Sequence, residues 1–338
     1  MELASAPSRI AVVQTAFLGD VVFVSPLARA LKVAWPRARL TFVTTPKAAP
    51  LAACIPGVDA VIPFDKRRAD SGLSGLRRVA RRLETPDLIL VPHPSLRSAL
   101  LARMSRAQVR VGHEARWTRW AYTLAVPKHE REPYAQSYLD LARALGIDGS
   151  PDLRLVAPAE EVGKASALLG DGPCVGLVVG SEWATKRWPV ESFSGLADEC
   201  LRQDWRPVLL GAPAERPIAE AVKAAMKEGA PLDLVGNAVL ESVGVISLLK
   251  AVVGGDSGLL HISRALGVPS LLLFGPTDPG LHNLEPQAQA LRLGLECQPC
   301  HRHGPMRCPL GHHDCMAKLT VERVWEALHL LLARWEAA

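Results

Sequence analysis

The sequence predicts an α/β protein made of two doubly wound parallel-sheet domains, because the same strand, turn and helix pattern occurs in both halves. The clearest example is Val252–Pro279, which reads VVGGDSGLLHISRALGVPSLLLFGPTDP. An apolar strand, a Gly-Gly-Asp-Ser turn, a helix ended by Gly267 and a second buried strand form a βαβ unit there. The pattern begins with the strand Arg9–Gln14 and restarts with the strand Cys174–Val179.

Length and composition agree with two domains of moderate size. The chain has 338 residues, and 49% of them are hydrophobic, so each half can bury a core. Proline and glycine interrupt the pattern between Pro158 and Pro173. We therefore predict an N-terminal domain over residues 1–158 and a C-terminal domain over residues 170–320.

Several function classes are disfavoured by composition. No run of 18 or more uncharged apolar residues occurs, and Met1–Arg9 has no signal-peptide core, so we expect a cytoplasmic protein with at most peripheral membrane contact. Lys and Arg exceed Asp and Glu by only 39 to 34, and the arginine clusters have no interleaved aromatic residues, which disfavours nucleic acid as a partner. Neither first βα turn carries G-x-G-x-x-G, which disfavours a redox enzyme.

In the first half, polar side chains follow two predicted strands. Gly19-Asp20 comes at the turn after the first strand, before a helix that we expect to begin near Phe23. His93 follows the buried strand Asp87–Val91. Because the carboxyl ends of parallel strands meet at one edge of a sheet, Asp20 and His93 are expected at the same edge. Further elements are predicted at Arg39–Thr44, Ala48–Cys54, Ala60–Pro63, Val109–Gly112 and Tyr138–Leu145.

Positive charge is concentrated between residues 66 and 82. The first cluster is Lys66, Arg67 and Arg68, and the second comprises Arg77, Arg78, Arg81 and Arg82. The second cluster falls on the polar face of an amphipathic helix. It is either a solvated helix face or a binding surface for an anionic acceptor or an anionic lipid surface, since the arginine fork suits phosphate.

In the second half, three loops after strands carry candidate ligand-binding residues. The loop after Cys174–Val179 contains Lys186, which can meet a phosphate as a point charge. Glu215 follows the strand Pro207–Leu210 and either accepts hydrogen bonds from a ribose or supplies charge at a helix N-terminus. The strand Leu232–Val235 and the helix Leu240–Lys250 lead into the central segment.

The turn of the central segment is the strongest candidate for binding an anion. Asp256 and Ser257 stand at a helix N-terminus, where free backbone N–H groups and the helix dipole favour a diphosphate, and His261 lies one and a half turns further on. The alternative is that Asp256 only caps the helix and His261 is a satisfied surface histidine.

Four of the seven cysteines lie close together near the C-terminus, at Cys297, Cys300, Cys308 and Cys315, with four histidines between them. These side chains could hold a structural zinc ion. The alternatives are reduced thiols or a disulfide, because only one C-x-x-C pair is present. In each case we predict a structural loop outside the reaction centre.

Three sequence blocks resemble the ADP-heptose:lipopolysaccharide heptosyltransferase family, glycosyltransferase family 9. They are LGDVVFVSPLARALK around Asp20, TKRWP around Lys186, and GGDSGLLHISRALGVPSLLLFGPTDP. The tail CQPCHRHGPMRCPLGHHDCM is similar to that of heptosyltransferase II and its relatives. The likeness implies a GT-B architecture of two Rossmann-like domains facing across a cleft. It also implies that the last helix, residues 321–336, joins the first domain.

The resemblance also implies roles for residues. Asp20 resembles the general base of an inverting transfer and Lys186 a phosphate contact. The implied donor-binding set is Ser181, Lys186, Glu215, Asp256, Ser257, Gly258 and His261. The implied acceptor-binding set, in the first domain, is Lys66, Arg67, Arg68, Arg77, Arg78, Arg81 and His93. Where relatives often have two hydroxyl residues before the lysine, this chain has Ser181-Glu182.

Inverting heptose transfer is the leading hypothesis. ADP-heptose is the expected donor, a lipid A-linked inner core of lipopolysaccharide the acceptor, and the anionic inner-membrane surface a further partner. One carboxylate can deprotonate the acceptor hydroxyl, and no Asp-x-Asp pair occurs, so the sequence requires no metal and no cofactor. The alternatives are a nucleotide-sugar epimerase of the same architecture and a non-catalytic nucleotide-sugar-binding protein.

Overall fold

The computed structural model describes residues 5–129, 131–284, 286 and 288–337. The chain divides into two compact units. The first contains Met1–Val156 and Gly280–Asn283, and the second contains Ala157–Pro279 and Leu284–Ala338. Each unit is described by itself below.

Each unit contains six strands within the described ranges. Those of the first unit are β1 Arg9–Val13, β2 Arg39–Thr44, β3 Ala60–Pro63, β4 Leu88–Val91, β5 Val109–His113 and β6 Leu124–Val126. Those of the second unit are β7 Cys174–Val178, β8 Arg206–Leu210, β9 Leu232–Asp233, β10 Ala251–Gly255, β11 Ser270–Leu273 and β12 Ala288–Leu291.

Helices alternate with these strands. The first unit has α1 Leu18–Phe23, α2 Ser25–Ala34, α3 Ala49–Ala52, α4 Gly72–Arg82, α5 Leu96–Met104 and α6 Tyr134–Arg143, with a 3-10 turn at Arg119–Ala121. The second unit has α7 Ala159–Leu169, α8 Val190–Arg202, α9 Arg216–Ala225, α10 Val239–Ile246, α11 Gly258–Ala265, α12 Asp314–Ala317 and α13 Val321–Glu336. Its 3-10 turns are Ala184–Lys186 and Pro213–Glu215, and a further one spans Pro279–Leu281.

Both sheets are parallel and have the same topology. The strand order is β3-β2-β1-β4-β5-β6 in the first unit and β12-β11-β10-β7-β8-β9 in the second. Each is the doubly wound order 3-2-1-4-5-6 of a dinucleotide-binding fold, confirming the predicted fold class. The chain reverses direction across the sheet between β1 and β4, and between β7 and β10. Ligands bind such sheets at the carboxyl ends of the strands beside these switch points.

The central strands consist of apolar residues because both faces of each sheet are covered by helices. β4 and β7 are buried along their whole length, as the continuous hydrophobic runs predict. In the second unit one core cluster joins strand residues such as Val175 and Leu271 to helix residues such as Phe193. At about 25 cal/mol per Å² of apolar surface removed from water, such burial is the main stabilising term of each unit.

Several element boundaries differ from the sequence prediction; α6, for example, begins at Tyr134 rather than at Tyr138. Asp20 lies inside the short helix α1 rather than in the preceding turn, and a separate helix α2 begins at Ser25. Pro26 causes this break, because it has no N–H to donate and is accepted only in the first turn of a helix. α7 begins at Ala159, within the predicted interdomain segment, and belongs to the second unit, where it packs on α10.

The sequence predicts that the last helix joins the first domain, whereas its contacts group α13 with the second unit. α13 belongs to the second unit, together with α8, β11 and β12. Its apolar residues Val324, Leu328 and Leu331 recur at helical spacing and lie in the core cluster of that unit. This apolar stripe holds the helix on the second sheet.

Acid should destabilise the first unit through His113. The side chain at the end of β5 is completely buried, and burial lowers its pKa from 6.5 to about 4. The unfolded chain therefore binds a proton that the folded chain excludes between these pH values. We predict that stability is full above pH 6.5 and falls by about 3 kcal/mol as the pH drops towards 4.

The test is denaturant unfolding as a function of pH, comparing the wild type with His113→Leu. The substitution should flatten the acid limb of the stability profile, whereas His129→Leu at an exposed site should leave it unchanged. An unchanged acid limb in the His113 variant would contradict the assignment.

Candidate functional site

The switch point of the second sheet holds a buried cluster of charged and polar side chains. Lys186 follows β7 and Asp256 follows β10, and these two strands are neighbours in the sheet. Lys186 Nζ lies 2.6 Å from Asp256 Oδ2, and the residues are only 8% and 6% exposed. The prediction that both belong to one site agrees with this geometry.

The Asp256 carboxylate also contacts other side chains of the cluster. Besides Lys186, Thr277 donates to Asp256 Oδ2 at 3.0 Å, and His261 Nε2 lies 3.1 Å from Asp256 Oδ1. Asp256 is not the N-cap of α11, because Ser257 occupies that position. His261 is buried rather than a surface residue. The alternative from the sequence, in which Asp256 only caps the helix and His261 is a surface histidine, is therefore wrong.

Burial controls the protonation of the histidine side of the cluster. It lowers the pKa of His261, and the carboxylate of Asp256 opposes that shift only in part. Arg264, one turn further along α11, has Nη1 3.3 Å from His261 Nδ1, and burial lowers its pKa to about 10. His261 is therefore held neutral between a carboxylate and a guanidinium.

The N-terminus of α11 presents unused polar groups at this site. Gly258 is the first helical residue, so the first N–H groups of the helix have no partner within it. The Ser257 hydroxyl is buried and, among the described residues, has no hydrogen-bond partner. A buried hydroxyl without a partner costs free energy, so an external acceptor at this position would be stabilising. Together with Lys186, these donors suit a phosphate.

Glycines let the backbone approach these side chains closely. A Cβ on Gly180 would overlap the Glu215 carboxylate, and a Cβ on Gly255 would overlap the carbonyl oxygen of Lys186. Glu215 is buried at the end of β8, and its Oε2 accepts from Ala212 N at 2.6 Å.

Ser181 is also buried, beside β7. Its carbonyl accepts two bonds from the Arg187 guanidinium, at 2.9 and 2.7 Å. Loops after β7, β8 and β10 thus carry the donor-binding residues proposed from the sequence, except Gly258 and His261, which lie in α11.

In the first unit, Asp20 and His93 follow the adjacent strands β1 and β4. Asp20 Oδ2 accepts from Phe17 N at 3.1 Å, and Oδ1 accepts from the Tyr138 hydroxyl at 2.8 Å. Tyr138 is buried, and burial with the adjacent carboxylate raises its pKa well above 10, so its hydroxyl stays a donor. Burial lowers the pKa of His93, while the charge of Asp20 acts in the opposite direction. Asp20 and His93 therefore lie at the same edge of the sheet, as expected, and close enough for the charge of Asp20 to affect His93.

The acceptor residues predicted from the sequence fall into two groups. Lys66 reaches the carboxyl end of β1, where its Nζ donates to the carbonyl oxygen of Thr15 at 2.8 Å. Arg67 and Arg68 are exposed beside it. Arg97, which the sequence analysis missed, donates to the carbonyl oxygen of Lys66 at 2.6 Å. This group lies at the edge of the sheet that carries Asp20.

The second group lies elsewhere. α4 runs antiparallel to the strands, so its last residues lie towards the opposite edge of the sheet. Arg82 accordingly lines a hollow with Arg9 and Arg39, the first residues of β1 and β2. Arg78 pairs with Asp70 at 3.0 Å. Arg77 and Arg81 line a different hollow, considered below.

The cysteine segment lies against the loops of the second site. Cys300 N and His301 N each donate to the carbonyl oxygen of Pro276 at 3.0 Å, and His313 Nε2 lies 2.8 Å from the carbonyl oxygen of Thr185. All seven thiols are free, so no disulfide forms. The four clustered cysteines, Cys297, Cys300, Cys308 and Cys315, all lie within the described ranges. No three of their sulfur atoms fall within 4.8 Å of one another. Zinc binding there remains a prediction.

Besides Arg97, three side chains that complete the two sites were not singled out from the sequence as site residues: Tyr138, Arg264 and Thr277. Tyr138 belongs to α6, which is 118 residues from Asp20 along the chain. Arg264 and Thr277 both fall inside the segment that the sequence analysis emphasised. The sequence feature that could have identified Arg264 is its position one turn after His261 in HISR.

Removing Asp256 should cost far more stability than removing an exposed carboxylate. In Asp256→Ala the Lys186 ammonium remains buried without its counter-charge, which costs about 3–5 kcal/mol. The double variant Asp256→Ala/Lys186→Met should recover part of that loss. Glu220→Ala, which breaks an exposed pair with Lys223, should cost less than about 1 kcal/mol. Denaturant unfolding measures all four proteins, and equal losses in the two single carboxylate variants would refute the buried pair.

Known proteins match the chain over most of its length. Residues 76–309 match the family model Glycosyltransferase family 9 (heptosyltransferase). Lipooligosaccharide heptosyltransferase 2 of Haemophilus influenzae is 28% identical, over 96% of this chain and 99% of that protein. A solved glycosyl transferase family 9 structure from Veillonella parvula has a TM-score of 0.88 at 23% identity, covering 99% of this chain and 100% of the other. For ADP-heptose LPS heptosyltransferase II of E. coli, the TM-score is 0.81 at 23% identity, covering 97% and 99%.

Proposed function

Because the chain belongs to glycosyltransferase family 9 (heptosyltransferase), and is therefore a glycosyltransferase of GT-B architecture, we propose that it transfers a heptose from ADP-heptose to an inner-core acceptor of lipopolysaccharide. The proposed acceptor is linked to lipid A. We base the proposed reaction on the similar proteins that are named heptosyltransferase II. The enzyme would then work in the cytoplasm, at the inner surface of a membrane. No helix in the described ranges is long and apolar enough to span one.

One observation carries the proposal: each switch point holds the groups that its half of such a reaction needs. The second unit offers a cation, a helix N-terminus and a Ser257 hydroxyl that has no hydrogen-bond partner in the described part of the chain, and these groups suit a diphosphate. The first unit offers the carboxylate of Asp20, held by two hydrogen bonds.

In the second unit we assign donor binding to the loops after β7, β8 and β10. Lys186 keeps two N–H donors beyond its bond to Asp256, because an ammonium has three. These donors and the N-terminus of α11 would stabilise the charge that develops on the departing ADP. Glu215, a buried carboxylate beside β7, would accept from ribose hydroxyls. Ser181, Asp256 and His261 would shape the same pocket.

In the first unit we assign acceptor binding and proton transfer. Asp20 would remove the proton from the acceptor hydroxyl while that oxygen attacks the anomeric carbon opposite the ADP, so the configuration inverts. Tyr138 holds Oδ1 of the carboxylate in place, and the free lone pairs of both oxygens remain available. Lys66, Arg67, Arg68 and His93 at the same edge would bind the anionic groups of the acceptor.

Asp20→Asn should abolish most of the turnover and spare donor binding. Loss of a general base lowers kcat by about 10²–10⁴-fold. The measurement is transfer from ADP-heptose to a lipid A-linked inner-core acceptor by mass spectrometry, with ADP binding by calorimetry. Tyr138→Phe keeps the carboxylate but removes its hydroxyl partner, so a smaller loss is expected.

The same assay separates the alternatives. Conversion of the donor without any acceptor would indicate an epimerase. ADP-heptose binding with no turnover in the wild type would indicate a binding protein. If Asp20→Asn keeps wild-type turnover, its role as the base is wrong.

Charge reversal at the first basic group should weaken acceptor use. We predict that Arg67→Glu/Arg68→Glu raises the KM for acceptor at least tenfold, because the anionic acceptor then meets two negative charges, while the Kd for ADP is unchanged. Arg77→Glu/Arg81→Glu is the matched control, with the same change in charge on the neighbouring helix. Steady-state kinetics with a water-soluble, deacylated acceptor is the measurement. An equal rise in KM for both pairs would place the acceptor contacts on α4 as well.

A further inference from the structure

A second basic surface of the first unit lies outside the proposed site. Four exposed arginines line one hollow of about 620 Å³: Arg77 and Arg81 on α4, Arg103 on α5, and Arg106 just beyond it. The remaining lining residues are Ala80, Thr85, Met104 and Ser105, so no carboxylate contributes. We call these four residues the arginine hollow.

The arginine hollow has no internal counter-charge. Within the described ranges, none of its four guanidinium groups has an ion pair, although Arg78 on the same helix pairs with Asp70. Burial lowers the pKa of a fifth arginine, Arg110, and the nearby charge of Arg103 lowers it further. Clustered like charges repel one another, so this arrangement favours the binding of several anionic groups at once.

Two exposed tryptophans lie in a loop whose 3-10 turn packs on α5, the helix that carries Arg103. Trp117 and Trp120, in the loop between β5 and β6, are 62% and 54% exposed. Such exposure of large aromatic side chains usually marks an interaction surface. Arg116 and Arg119 flank them in the sequence RWTRW, and Arg119 pairs with Glu114.

Hydrogen bonds fix the tryptophan loop beside the hollow. Arg110 Nε donates to the carbonyl oxygen of Ala121 at 2.7 Å, and its Nη1 donates to that of Ala107 at 2.7 Å. Ala121 follows Trp120, and Ala107 follows Arg106. α5 also packs on both α4 and the 3-10 turn that contains Trp120. Arg110 therefore joins the tryptophan loop to the segment that follows Arg106, and we call the arginine hollow and this loop together the basic aromatic face.

From this face we infer a docking surface for an anionic lipid bilayer. Arginine forks bind phosphate headgroups, and tryptophan rings are enriched at the membrane interface, where one side of the ring is apolar and the N–H is wet. The combination of juxtamembrane cations with interfacial aromatics fits a membrane better than a soluble anion, which the tryptophans would not contact. The inference rests on the proposed function in one respect, since a lipid-linked acceptor brings the enzyme to a membrane.

The position of the face separates it from acceptor binding. The ends of α4 and α5 lie towards the edge of the sheet opposite Asp20 and Lys66. Docking through this face would therefore leave the carboxyl-end edge of the first sheet unobstructed. Arg77 and Arg81, predicted from the sequence to bind the acceptor, are reassigned to the bilayer.

Co-sedimentation of the full chain with lipid vesicles tests the inference. Vesicles of phosphatidylglycerol and phosphatidylcholine are compared with vesicles of phosphatidylcholine alone, without donor or acceptor. Wild type should bind the anionic vesicles only. Arg77→Glu/Arg103→Glu and, separately, Trp117→Ser/Trp120→Ser should each reduce that binding at least tenfold. Arg37→Glu/Lys227→Glu, an equal change in charge at exposed residues elsewhere, should bind like the wild type.

Turnover of a deacylated, water-soluble acceptor is measured for the same variants and separates this inference from the proposed function. Unchanged turnover with lost vesicle binding supports membrane docking. Vesicle binding by the wild type that both surface variants retain, or its absence in the wild type, overturns the inference whatever the enzyme activity. Reduced turnover of the soluble acceptor in the surface variants also overturns it, by assigning the face to acceptor binding. Unfolding curves confirm that all variants, with substitutions at exposed positions, are folded.

Discussion

The buried carboxylate of Asp256 is the group on which the second unit's site depends. It joins the loop after β7, the N-terminal part of α11 and the loop after β11 through Lys186, His261 and Thr277. A buried ion pair adds little net stability compared with an apolar core, but breaking one is costly. The pair of Asp256 with Lys186 instead fixes the position of the ammonium group beside the N-terminus of α11. Glycines at the strand ends let the backbone approach these side chains closely.

In the first unit, a tyrosine rather than a charged side chain holds the site carboxylate in position. Asp20 is held through Oδ1 by a buried phenol and through Oδ2 by a backbone amide, so its orientation does not depend on an opposite charge. His93 and Lys66 lie nearby, and burial lowers the pKa of both. A carboxylate held by neutral donors keeps its own charge available to a substrate, which suits the role of a base better than an ion pair would.

Charge on the first unit is divided between two regions with different physical surroundings. Lys66 and its neighbours reach the carboxyl-end edge of the sheet, where Arg97 and Thr15 fix their backbone and side chains. The arginine hollow lies towards the other edge, between the C-terminal parts of α4 and α5. The basic residues between positions 66 and 82 therefore lie on two surfaces. α4 runs antiparallel to the strands, so its C-terminal end lies towards the edge of the sheet opposite Lys66.

The sequence by itself determined the fold class and placed Lys186, Glu215 and Asp256 after three strands of the second unit, because hydrophobic periodicity and glycine turns act over a few residues. It also placed Asp20 and His93 at one edge. Only the tertiary structure paired Tyr138 with Asp20, since α6 is far away in the chain. Only the tertiary structure, likewise, held α13 on the second sheet and gathered arginines from α4 and α5 around one hollow. Contacts between distant segments depend on how helices pack on a sheet, and local sequence patterns do not specify that packing.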